Sequence, residues 1–146
     1  MQHTYRRRIK AFKGVTSGMT TALPQLAVAE LLATRYYDRH IKRLRLQVAE
    51  QTRLYAQVLR DILPPGTRMT SPAGGNLLWV QLPNVDGTAV YRRLLQQGVG
   101  VFPGEIFSLR GKHRSFLRIS CGAVWSPAIE RGLELLGRTV AEIAST

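Results

Sequence analysis

A chain of 146 residues with 45% hydrophobic and 21% charged residues can bury one core and reads as globular rather than disordered. No apolar run reaches the roughly 18–20 residues that span a bilayer, and nothing at Met1 resembles a secretion signal, which together suggest a cytoplasmic location. The lone cysteine, Cys121, excludes an internal disulfide framework, and the formal charge of +12 demands an acidic partner of some kind.

Residues 1–13 are short and basic, with Tyr5, Ile9 and Phe12 at helical spacing, and Gly14 to Thr21 has the composition of a loop. Thr21 should then cap a helix with Pro24 in its first turn. Leu23, Leu26, Leu31 and Leu32 make that helix apolar nearly all round, so it expects cover on most sides.

Asp38 is the expected N-cap of the longest element, running to about Leu63 with an inward stripe of Ile41, Leu44, Val48, Tyr55, Val58, Leu59 and Ile62. Gln51 and Thr52 form its weak turn, and Pro64-Pro65-Gly66 ends it. About 25 helical residues make a rod of roughly 38 Å, longer than one small core needs and suited to bridging two domains.

Most of the positive charge lies before Pro64. There Arg6, Arg7, Arg8, Lys10, Lys13, Arg35, Arg39, Lys42, Arg43, Arg45, Arg53 and Arg60 face only Glu30, Asp38, Glu50 and Asp61. Such asymmetry marks either a nucleic-acid surface or a segment whose acidic partner lies elsewhere.

Beyond Pro64 the period changes to two. Thr67 to Thr70 and Asn76 to Leu82 read as strands around a Ser71-to-Gly75 turn, with Leu78, Val80 and Leu82 opposed to Leu77, Trp79 and Gln81. Asp86 caps a helix that Gly98 closes, Val99 to Phe102 is a brief buried strand, and Glu105 to His113 is a loop. Arg114 to Gly122 contains another strand, and Ser126-Pro127 opens a last helix with Ile129, Leu133, Leu136, Val140 and Ile143 inward. The order β-β-α-β-β-α specifies an α/β chain, α+β when taken alone: a small, mostly antiparallel sheet with helices on one face, after a long helix.

The strand Phe116-Leu-Arg-Ile-Ser120 carries the sharpest signal. Leu117, Ile119 and Cys121 fall on one face, and Phe116, Arg118 and Ser120 on the other. A guanidinium set in an apolar strand must find a partner. Two readings stand: a structural ion pair with a local carboxylate, or a cleft-facing cation for a ligand carboxylate, whose geometry matches arginine's planar fork.

Other chemistry is sparse. His3, His40 and His113 are scattered, so no metal set forms, and there is no dinucleotide or Walker-type phosphate loop. Trp79, Phe102, Phe107 and Phe116 could stack bases, but core packing is the expected role for such rings.

The order of these pieces resembles a known family. Leu23 to Leu32, then Tyr37 to Arg45, is similar to the segment of fold-type I pyridoxal-phosphate aminotransferases where the large domain hands over to the small one. Gly74-Gly-Asn-Leu-Leu-Trp-Val-Gln-Leu-Pro83, Gly98-Val-Gly-Val-Phe-Pro-Gly104 with Phe107-Ser108, and Phe116-Leu-Arg-Ile-Ser120 resemble that family's small-domain landmarks, in order. The wording is most similar to MocR-type regulators of the GntR family, which join a winged helix-turn-helix to an aminotransferase-like domain.

The resemblance implies a remnant of the large cofactor-binding domain at 1–37, a bridging helix at 38–63 and a small domain at 64–146. It implies pyridoxal 5'-phosphate as cofactor of the intact protein, an amino-acid or amine ligand, a homodimer, no membrane, and DNA contacted through a domain preceding this segment. It also makes Arg118 the substrate-binding residue that holds the ligand's carboxylate. None of Lys10, Lys13, Lys42 and Lys112 matches the family's cofactor lysine. No catalytic, cofactor-binding or metal residue is therefore expected here, no turnover is expected of this chain alone, and the chain is expected to be part of a longer protein. The alternatives are part of a metabolic aminotransferase and a basic nucleic-acid-binding module.

Overall fold

The computed structural model describes residues 2–16 and 21–145. They fall into two compact units, residues 1–42 and 43–146.

The first unit holds α1 (Gln2–Thr16), α2 (Ala22–Ala33) and the start of α3 (Arg35–Ile62). Helix α1 runs three residues past Lys13, and the rest of the expected loop, residues 17–20, lies outside the described residues. Thr21 precedes α2 in a non-helical conformation (φ −56°, ψ 128°), but its side chain makes no capping bond. The reason is local: Pro24 stands at the third helical position and has no N–H for a capping hydroxyl to take. No residue of α2 is buried, and Phe12 of α1 is 72% exposed.

Helix α3 begins before Asp38. The Thr34 hydroxyl accepts the Tyr37 N–H at 3.4 Å, so a threonine caps the helix, and Asp38 sits in its first turn where a carboxylate favours the helix N-terminus.

In the second unit α3 supplies Tyr55, Ala56 and Leu59 to the core, and its supposed weak turn is put to use. Buried Thr52 donates to the Gly75 carbonyl (3.3 Å), and Gln51 accepts the Trp125 N–H (3.1 Å). Both give loop backbone groups a hydrogen-bond partner. Tyr55 adds a hydroxyl bond to the Ala123 carbonyl (3.2 Å).

Four strands follow: β1 (Arg68–Met69), β2 (Leu77–Gln81), β3 (Phe102–Pro103) and β4 (Phe116–Ser120). They pair antiparallel in the order β1-β2-β4-β3, so β4 is central. Strand β3 starts at Phe102 rather than at Val99, and includes a proline. An edge strand tolerates this, because the missing N–H need not face a neighbour.

Helix α4 (Gly87–Leu95) is capped by Asp86, which accepts from the N–H groups of Thr88 and Ala89. Burial works to raise the Asp86 carboxyl, but those two N–H groups and the nearby Arg114 guanidinium hold it below its ordinary value. Helix α5 (Pro127–Ala144) opens on Ser126, whose hydroxyl accepts from Ile129 N–H (3.4 Å).

Leu59, Leu78, Val80, Leu94, Leu117, Ile119, Leu136 and Val140 meet in one apolar core between the sheet's inner face and α3, α4 and α5. The alternation expected of β2 and β4 holds residue by residue.

Cys121 is fully buried at the end of β4, and burial pushes its thiol up to about 12. The unfolded chain would release that proton near 9.0, so stability from this group is complete below that pH and is lost as pH rises toward 12. The advantage of the parent over Cys121→Ala in urea melts should be constant below pH 9 and shrink through that window. A constant advantage up to the top of it would refute the assignment.

Candidate functional site

The outer face of the sheet carries the candidate site. Register sets Trp79 of β2 and Phe102 of β3 on either side of Arg118, and antiparallel partners share a face. Trp79 stacks on Phe116 with ring centroids 5.5 Å apart and meets Phe107 and His113 edge-on at 5.7 and 5.6 Å. The expectation that these rings fill the core is therefore corrected. Trp79 and Phe116 are half-buried against each other, and Phe102 and Phe107 remain 48% and 46% exposed. The core itself is aliphatic apart from Tyr55 and the half-buried rings of Tyr91 and Trp125 packed against it.

Arg118 sits among them. Its Cζ lies 4.6 Å from the Phe102 ring centroid and 4.5 Å from that of Phe107. Among the described residues no carboxylate reaches it; the ion pairs are Arg93–Glu142 and Arg114–Asp86. The structural ion pair is thus replaced by two ring faces, whose negative quadrupoles attract the cation without occupying its in-plane N–H donors. Beside it lies a cavity of about 270 Å³, walled by Gly98–Phe102, β4 and the first turns of α5, in whose lining Arg118 is the one charged side chain.

Phe107 comes from a short 3-10 turn, Gly104–Phe107, inside the expected loop. Glu105 of that turn points elsewhere, accepting from the Thr88 hydroxyl at 3.1 Å. His113 adopts a left-handed backbone (φ 66°), which is rare for a side-chain-bearing residue, and its carbonyl accepts the Phe116 N–H (3.1 Å). The sequence marks Phe107 only as an aromatic residue of a family landmark and does not mark His113; both reach the site through loop geometry.

The chain belongs to the aminotransferase class I and II family, whose model matches residues 4–136. It is 34% identical over 137 residues to the HTH-type transcriptional regulator YjiR of Escherichia coli (strain K12), covering 93% of this chain and 29% of that protein. It is 30% identical over 122 residues to 2-aminoadipate transaminase of Thermus thermophilus, covering 83% of this chain and 30% of the relative. Among solved structures, LysN, an alpha-aminoadipate aminotransferase also from Thermus thermophilus, superposes with a TM-score of 0.84 at 26% identity, over 99% of this chain and 37% of that one. The chain thus spans about a third of the length of the proteins it matches.

Pyridoxal 5'-phosphate is the cofactor of that family, and the LysN structure holds it as N-(5'-phosphopyridoxyl)-L-leucine. A lysine that carries this cofactor must be held against a bound phosphate with its pKa lowered. Lys10, Lys13, Lys42 and Lys112 are all exposed, the first three on α1 and α3 and the last in the loop before β4. The cation this chain presents on the outer face of its sheet is Arg118.

Proposed function

We propose that residues 38–63 and 64–146 are the bridging helix and small domain of a pyridoxal-phosphate-dependent, aminotransferase-like protein, residues 1–37 belonging to its large domain. In that protein Arg118 holds the carboxylate of an amino-acid ligand. The observation that carries this is a guanidinium on the sheet's outer face with two rings beneath it and no carboxylate partner among the described residues. The cofactor supplies the electron sink, and the contribution of this domain is orientation and charge.

The whole protein is read as a MocR-type transcriptional regulator, acting as a homodimer on DNA, a reading supported by the likeness to YjiR and to a second Escherichia coli regulator, YdcR. A metabolic aminotransferase is the second reading, favoured by the 30% identity to the Thermus 2-aminoadipate transaminase. The two separate on one measurement. A regulator changes its DNA affinity when the amino acid binds, whereas an aminotransferase releases the matching oxo acid when an acceptor oxo acid is supplied.

The test of Arg118 uses the full-length protein freed of cofactor and two synthetic adducts. One is N-(5'-phosphopyridoxyl)-L-leucine; the other is its counterpart lacking the carboxylate, N-(5'-phosphopyridoxyl)-3-methylbutylamine. Arg118→Leu should weaken the first by roughly 1.5–3 kcal/mol, the scale of a charged hydrogen bond, and leave the second nearly unchanged. Arg118→Lys should not restore the loss, because lysine cannot make the two-pronged contact. Thermal stability should stay within about 1 kcal/mol of the parent. Unfolding of the Arg118→Leu variant would return the residue to a structural role.

A further inference from the structure

The geometry points to Phe102 and Phe107 as positioning residues, whose rings hold the Arg118 guanidinium in place for the incoming carboxylate. This rests on the reading of Arg118 as the ligand residue. Large aromatic side chains left about half exposed contribute little to the core, and both sit at 4.5–4.6 Å from the Arg118 Cζ. An arginine side chain free in solvent loses much rotamer freedom when it binds a carboxylate. Stacking over two rings fixes it beforehand, and the ring faces balance its charge while its in-plane donors stay open.

Separate parts of the fold set the two rings. Phe102 is fixed by the ladder, directly opposite Arg118. Phe107 is fixed by its 3-10 turn, which Thr88 ties to α4 through Glu105 (3.1 Å), and by its edge contact with Trp79 (5.7 Å).

The experiment measures, by calorimetry on the cofactor-free full-length protein, the ratio of affinities for the leucine adduct and its carboxylate-lacking counterpart. Phe102→Leu and Phe107→Leu should each cut that ratio about three- to tenfold, the range a partly exposed cation–ring contact supports. The counterpart alone should change by less than about twofold, since it never meets the guanidinium. Phe107→Tyr, which keeps a ring face, should preserve the ratio. Placed on an Arg118→Leu background, either leucine substitution should have no further effect, because the rings act only through that side chain.

If Arg118→Leu collapses the ratio but the ring variants leave it intact, the positioning role is overturned and the ligand role stands. Equal weakening of both adducts by Phe107→Leu would make the ring a plain apolar contact and also overturn the positioning role. A ratio indifferent to Arg118→Leu overturns both.

Discussion

Leu117→Ala is expected to destabilise the fold by about 3–5 kcal/mol, the upper part of the range for truncating a buried leucine. Leu117 is fully buried and lies on the central strand, opposite Val80 on one side and Pro103 on the other. The cost of such a truncation depends on how far the surroundings can collapse into the space. Here the backbone is pinned by ladders on both sides, so relaxation is small. Against a typical total of about 5–15 kcal/mol, that is a substantial share of the stability. Urea unfolding should show a lower midpoint with an unchanged slope. A loss below about 1 kcal/mol would mean that this face is loosely packed. The next residue provides the contrast. Arg118→Leu, one step along the chain and on the opposite face, should cost about 1 kcal/mol or less while abolishing preference for the carboxylate-bearing ligand.

Gly104→Ala is expected to cost about 2–3 kcal/mol, as overpacking against rigid neighbours does. An added Cβ would stand 2.6 Å from the His113 carbonyl oxygen and 2.6 Å from the Phe116 Cβ. Neither is the end of a flexible side chain. His113 is already held in a left-handed conformation by the bond from Phe116 N–H, so the 3-10 turn must move instead. Phe107 moves with it and leaves the Arg118 guanidinium. The variant should therefore lose both stability and ligand preference. Its near-ultraviolet circular dichroism should change as well, because Trp79 contacts Phe107, His113 and Phe116. Gly74→Ala is the control: nothing lies within 4 Å of its added Cβ, and the change should be near neutral. Similar losses for the two variants would refute the steric account.

Within the second unit, the sequence by itself determined strand parity and two of the helix starts, features that depend on near neighbours. The alternation in Leu77 to Gln81 and Phe116 to Ser120 dictated which side chains enter the core, because successive residues of a strand point to opposite faces. Asp86 and Ser126-Pro127 marked helix starts because capping is chemistry between residues two or three apart. The same parity already placed Trp79 and Phe116 on the face of Arg118. Their apolar area argues for the core, but their position along the strand decides which face they take. Asp38 is the stronger acceptor, but α3 starts four residues earlier, and there the Thr34 hydroxyl caps it.

Tertiary structure alone decided what Arg118 touches. Phe102 is sixteen positions away and becomes its neighbour only through β3–β4 pairing, and Phe107 arrives on a turn that no periodicity marks. The uses of Gln51 and Thr52 were likewise invisible, since their partners are the backbones of Trp125 and Gly75. A strand's own pattern tells which way a side chain points. What stands opposite it is set by register and loop closure, which bring together residues far apart in the chain.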